Sequence, residues 1–171
     1  MTELTDPLIS ASLGIDIGRV LMTPTHDDGR PDTSFISGCV EEALQIPASP
    51  GALEVISELV PRCAGRVWLV SKANERIEGL TRLWLQEQRF FERVGLPESH
   101  VRFCLRREDK RAHALELGLT HFIDDRQDVL QALRGVVRAL FLFGTQLSPA
   151  PDWVMPVATW AEVRRALRVS A

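Results

Sequence analysis

The sequence predicts an α/β protein: a three-layer arrangement of a parallel sheet with helices on both faces. Three observations predict it. Short apolar runs alternate with helical stripes along the whole chain. These runs are bounded by glycine, proline or charged residues, as strands buried on both faces are. Several of them end in a carboxylate or a hydroxyl, as in Ile15-Asp16, Val70-Ser71 and Ile123-Asp124-Asp125. In a parallel sheet the carboxyl ends of the strands share one edge, and ligands bind there.

Taken in order, residues 1–12 read as a loose lead-in, polar and acidic, without the basic-then-apolar pattern of a secretion signal. The first strand covers 13–17, and the chain is expected to turn sharply at Gly18. Residues 22–46 hold Pro24, Asp27-Asp28-Gly29 and Pro31. This insertion reads either as a flap over the end of the first strand or as a surface connection, with a short helix over 38–45. Pro50-Gly51 opens a helix with Ser49 as its N-cap and Pro50 as its first residue. Leu53, Ile56, Leu59 and Val60 form its inner stripe, and Pro61 and Gly65 end it. The second strand covers 66–70 and runs into Ser71-Lys72.

A helix over 75–88 turns Ile77, Leu80, Leu83 and Trp84 to one side, and Phe90 and Phe91 pack after it. The third strand, 101–104, leads into a charged loop over 106–109. Lys110 starts a helix that runs to Leu117 and stops at Gly118. The fourth strand covers 120–123, a helical stripe covers 129–133, and the fifth strand covers 139–143. An apolar segment over 154–157 and a helix over 160–168, capped by Thr159, close the chain. Residues 1–171 form one domain, long enough for an ordinary core and without repeat or linker.

Composition excludes several classes. The chain is 45% hydrophobic and 25% charged, a soluble globular balance. No apolar run reaches the ~18 residues of a membrane span. A net charge of −3 argues against a general nucleic-acid or membrane-surface binder. Cys39, Cys63 and Cys104 are odd in number, with no C-x-x-C, which reads as reduced thiols in a cytoplasmic protein. Neither Cys nor His shows zinc-ligand spacing.

The chemistry-bearing set is Asp16, Ser71, Lys110 and Asp124-Asp125. Carboxylates at the ends of neighbouring strands suit a hard cation such as Mg²⁺. A hydroxyl and an ammonium hold phosphate oxygens. One carboxylate can then attack phosphorus and carry the phosphoryl group.

In these residues, from 13 to 144, the sequence resembles the haloacid dehalogenase-like hydrolase superfamily. That family carries, in order, a strand ending in D-x-D-x-[TV], a strand ending in Ser or Thr, a Lys at a helix start, and a strand ending in an acidic pair. Here these are Asp16-Ile17-Gly18-Arg19-Val20, Ser71, Lys110 and Asp124-Asp125. The resemblance implies a Rossmann-like fold and a Mg²⁺-dependent phosphatase or phosphotransferase working through an aspartyl-phosphate on Asp16. It implies that Ser71 and Lys110 bind the phosphate. It also implies that Asp16, the main-chain carbonyl of Gly18 and Asp125 hold Mg²⁺, with Asp124 a ligand or a supporting group. Arg19 either grips the phosphate or a second substrate group, or pairs structurally with Asp124 or Glu41.

The departures bear on activity. Gly18 stands where the family has its acid/base Asp, and Val129 where relatives often have a polar residue. Arg111 follows Lys110 where many relatives have Pro. The resemblance also leaves an alternative: a catalytically degraded member that binds a phosphorylated ligand or a protein partner. Neither insertion between motifs is long enough for a separate cap domain. In this family a capless site suits a large substrate or one enclosed by a partner subunit, so oligomerisation stays open. The basic residues Arg102, Arg106, Arg107, Lys110 and Arg111 read as a solvated loop before an anion receptor. His121 reads as a packed core residue, Lys72 as a rival to Lys110 for phosphate, and the tryptophans as packing. Asp128 reads as marginal to the site or as a helix cap.

Overall fold

The computed structural model describes residues 6–23 and 38–169. Its centre is a six-stranded sheet in the order β3-β2-β1-β4-β5-β6, and every pairing is parallel. The strands are β1 (Leu13–Ile15), β2 (Val67–Lys72), β3 (Val101–Cys104), β4 (His121–Asp124), β5 (Ala139–Phe143) and β6 (Met155–Val157). The helices are α1 (Val40–Leu44), α2 (Ala52–Arg62), α3 (Glu75–Glu87), α4 (Phe90–Val94), α5 (Lys110–Glu116), α6 (Gln127–Leu133) and α7 (Trp160–Val169). The three-layer expectation holds.

Strand alternation sorts the core into two halves. In β4, Phe122 joins the cluster under α5 and α6, whereas Ile123 joins the cluster under α2, α3, α4 and α7. In β5, Leu140 and Leu142 face the first of these clusters, and Phe141 and Phe143 face the second. Gly14 lies between Leu13 and Ile15 and has the opposite face to them. A Cβ on Gly14 would come within 2.5 Å of the Phe122 ring. The ring therefore lies directly on the β1 backbone, and only glycine leaves room for it.

Two buried indoles fasten the layers. Trp84 Nε1 donates to the Ile46 carbonyl at 2.7 Å, and Trp160 Nε1 donates to the Val20 carbonyl at 2.9 Å. Each ring thereby satisfies its one polar atom inside the core and ties a helix to the chain following β1.

Three local expectations need correction. Residues 6–12 are not a loose lead-in: Asp6 caps a 3₁₀ turn over Pro7–Ser10, Leu8 is buried, and Arg62 pairs with Asp6 at 2.6 Å. The flap expected over 22–46 falls mostly on 24–37, outside the described residues, and so do Asp27 and Asp28. Helix α2 starts at Ala52 with Gly51 as its cap at φ 79°, and the Ser49 hydroxyl bonds instead to Thr23 Oγ1 at 2.6 Å. Pro61 lies inside the last turn of that helix instead of ending it. At the other end of the chain, Thr159 Oγ1 does accept from the Glu162 amide and caps α7.

None of the described helices is long and apolar enough to cross a membrane. All three cysteines are free thiols. Burial pushes Cys63 and Cys104 up to about 11, which leaves them unreactive.

His121 is the core residue the sequence suggested. Its ring stacks on Phe141 at 6.2 Å, and its Nδ1 is 2.8 Å from Thr120 Oγ1. Burial, with a smaller contribution from Arg138, pulls it down to about 4. The unfolded chain takes up this proton near its ordinary value of about 6.5, while the folded chain waits until about 4. Between these values the unfolded state binds more protons, so stability falls as pH falls. The margin in melting temperature of the wild type over His121→Gln should therefore shrink as pH falls from 6.5 to 4.

Candidate active site

The carboxyl edge of the sheet brings the sequence-predicted residues into one place. Ile15 of β1 and Ile123 of β4 are partners across the ladder. The next residues, Asp16 and Asp124, therefore stand level on adjacent strands. The Asp16 amide extends the pairing by donating to the Ile123 carbonyl at 2.9 Å. By strand alternation Asp16 shares the face of Gly14, and Asp124 shares that of Phe122. Both carboxylates thus lie on the side covered by α5, whose first residue is Lys110.

Lys110 joins them. Its Nζ donates to Asp16 Oδ1 at 2.8 Å and to Asp124 Oδ2 at 2.7 Å. It is 2% exposed and sits 5.8 Å from the centroid of the Phe122 ring. Burial works against its charge, but the carboxylates of Asp124 and Asp16 outweigh that and hold its pKa above the ordinary lysine value. Asp124 is fully buried, and its second oxygen accepts from the Arg126 amide at 3.0 Å. Both of its oxygens are thereby engaged by the protein. This arrangement suits a supporting group more than a direct ligand.

Asp125 stands at the rim, half-buried. Gln146 Nε2 donates to its main-chain carbonyl at 3.3 Å and to that of Phe143 at 3.0 Å, which fixes the turn after β4. Burial, together with the neighbouring Asp124 and Asp16, pushes Asp125 up to about 8. Burial also raises Asp124, against the pull of Lys110. Lys110 is bonded to two of these three carboxylates, and Arg19, Lys72, Arg107 and Arg126 line the same cleft. Asp16, Asp124 and Asp125 can each offer an oxygen within 4.8 Å of the others, and they form the one such cluster found among the described residues. An all-oxygen donor set fits a hard divalent cation.

Asp16, Gly18, Arg19, Ser71, Lys110 and Asp125 all line a single cleft of about 350 Å³, counted with the space open to solvent. The expected turn at Gly18 is displaced by one residue. Gly18 has no positive φ; Arg19 takes φ 60°, a left-handed conformation that costs a non-glycine residue energy. Val129 also borders the cleft and is buried, so an apolar wall stands where a polar group was considered.

The basic cluster separates into unlike members. Arg106 is exposed and pairs with Asp109 at 2.9 Å. Arg102 stacks on Trp68, and Arg111 donates to the Ala132 carbonyl. Arg107, by contrast, turns to the cleft with Lys72 and Arg126. Asp128 is exposed and forks with Arg126 at 3.0 Å. Sequence reasoning missed Arg126 and Gln146. Arg126 had a usable signal, being a cation next to the acidic pair at a helix start; Gln146 had none.

No protein-family model and no curated protein matches the sequence. Solved structures do resemble the fold. A haloacid dehalogenase-like family hydrolase from Xanthomonas campestris superposes with a TM-score of 0.62 at 12% identity, covering 94% of this chain and 96% of that one. A structure from Burkholderia xenovorans LB400, assigned as a haloacid dehalogenase-like hydrolase, gives a TM-score of 0.55 at 15% identity over 81% and 67% of the two chains. The chain therefore has the fold of the haloacid dehalogenase-like hydrolases.

Two outcomes follow from the charge balance. Lys110→Met leaves two buried carboxylates without their cation and should cost about 3–5 kcal/mol, read from urea denaturation at pH 7. Raised carboxyl values act in the opposite sense to His121. The folded Asp125 keeps its proton up to about 8 while the unfolded chain loses it near 3.8, so stability falls as pH rises across that interval. In chelator-treated protein the melting temperature should drop between pH 6.5 and 8. Mg²⁺ should raise it more at pH 8 than at 6.5, and Asp125→Asn should remove the difference.

Proposed function

We propose that the protein is a Mg²⁺-dependent phosphatase or phosphotransferase of the haloacid dehalogenase-like superfamily, with Asp16 as nucleophile. The observation that carries this reading is the Lys110 bridge between Asp16 and Asp124, set in the same cleft as Ser71 and Asp125. A lone acid after a strand is commonly a turn former. An acid held through one oxygen by a buried ammonium, facing a cleft, is positioned to react.

Each residue has a task in this reading. Lys110 fixes the rotamer of Asp16 through Oδ1, which leaves the other oxygen for attack on phosphorus. The new O–P bond forms at Asp16 as the bond from phosphorus to the leaving oxygen breaks, and water later breaks the aspartyl-phosphate. Ser71 supplies a hydroxyl to the phosphoryl oxygens, and Arg19 supplies a cation. Asp16, Asp125 and the main-chain carbonyl of Gly18 would hold Mg²⁺, with Asp124 supporting. When bound, the metal would neutralise phosphoryl charge that the carboxylates otherwise repel.

Gly18 offers no acid for the leaving group and no base for the water. A positioned acid/base is worth about 10²–10⁴ in rate. The reading therefore favours substrates whose leaving group departs unaided, acyl phosphates above all. Gly18 also favours a second reading, in which the cleft binds a phosphorylated ligand without turning it over.

Phosphate release from acetyl phosphate, an aryl phosphate and an alkyl phosphate, with and without Mg²⁺, separates the two. Turnover should be Mg²⁺-dependent, fastest on acetyl phosphate, and abolished in Asp16→Asn. Gly18→Asp should raise alkyl phosphate turnover by about 10²–10⁴ and change acetyl phosphate little. Wild-type release no faster than Asp16→Asn on all three compounds would discard the enzymatic reading in favour of binding.

A further inference from the structure

We infer that the substrate is a small molecule with two anionic groups: the phosphoryl group presented to Asp16, and a second phosphate or carboxylate held by Lys72 and Arg107. The inference deepens the function proposed above and rests on Asp16 as the phosphoryl acceptor.

The active edge is electrically polarised by strand order. The acids Asp16, Asp124 and Asp125 follow β1 and β4, while Lys72 ends β2 and Arg107 follows β3. With the order β3-β2-β1-β4, Asp16, Asp124 and Asp125 lie to one side of these two cations, while Glu108 and Asp109, which follow β3, are engaged by Arg106. Ser71 lies next to Lys72 in the chain, so a phosphoryl group between Asp16 and Ser71 has Lys72 and Arg107 beyond it, on the side away from the acids.

Two further cations of the cleft are bonded to carboxylates. Lys110 is sealed between Asp16 and Asp124, and Arg126 forks onto Asp128. Lys72 differs: it is half-buried, yet among the described residues no carboxylate pairs with it. A partly desolvated ammonium without a counter-ion is costly unless a ligand supplies one. Arg107 is selected by contrast with its neighbour. Arg106 lies in solvent against Asp109 and Glu108, while Arg107 is drawn inward to the cleft wall, and its charge also reaches Asp128. An ammonium and a planar guanidinium on one wall form a receptor for phosphate or carboxylate oxygens.

Paired probes test this. Glycerol 1-phosphate is compared with 3-phosphoglycerate, and fructose 1-phosphate with fructose 1,6-bisphosphate, by phosphate release in Mg²⁺. The doubly anionic member of each pair should have a kcat/KM about tenfold or more above its partner. That ratio should fall towards one in Lys72→Ala and in Arg107→Ala, recover in part in Lys72→Arg, and persist in Arg106→Ala. Melting curves check that each variant is folded. Turnover without preference between pair members would overturn the inference and leave the phosphatase reading intact. If no compound turns over, calorimetry compares fructose 1,6-bisphosphate with inorganic phosphate on the wild-type protein. Tighter bisphosphate binding that Lys72→Ala abolishes would uphold the two-anion receptor while the catalytic reading falls; equal binding would overturn both. A preference for a 5′-phosphorylated oligonucleotide over the bisphosphate would overturn the small-molecule assignment.

Discussion

Everything at the active edge depends on one buried ammonium. Lys110 reaches Asp16 across 94 residues of sequence and Asp124 across 14, with both contacts under 3 Å. Two carboxylates level on adjacent strands would otherwise repel one another in a medium poor at screening. The lysine turns that repulsion into a clamp between the centre of the sheet and the start of α5. Packing holds the clamp in place: Gly14 lets the Phe122 ring lie on β1, and that ring faces the lysine from 5.8 Å.

The clamp balances only part of the charge. Lys110 bonds to two of the three carboxylates, and the one left outside the clamp, Asp125, holds its proton to unusually high pH. Protonation and stability are therefore coupled at this edge. Across the cleft, Lys72 and Arg107 lie on the wall made by β2 and β3. The strained backbone of this edge lies at Arg19 and not at Gly18.

Much of the fold was legible because parallel strands buried on both faces leave a plain record. Val67-Trp68-Leu69-Val70 and Ala139-Leu140-Phe141-Leu142-Phe143 admit few other readings between glycine and charged boundaries. Helix starts were harder. Ser49 looked like a cap for α2, but the helix begins after Gly51 and the Ser49 hydroxyl bonds to Thr23, a partner that only the tertiary fold brings near. The segment 6–12 looked loose because a single buried leucine and one ion pair to Arg62 make no periodic pattern.

The sequence by itself determined the parallel sheet and the polar groups that end its strands, because burial demands apolar runs and a run can end in a charge only at the sheet's edge. It did so for Asp16, Ser71 and the Asp124-Asp125 pair. Only the tertiary structure decided how these groups divide their work. Asp124 has both oxygens taken up inside the protein, whereas Asp125 is left at the rim. Arg106 and Arg107 are adjacent and identical in type, yet one pairs in solvent and the other lines the cleft. The physical reason is the same in both cases: a charged side chain goes where partners and solvent lower its energy most, and those partners come from distant segments that meet only when the sheet closes.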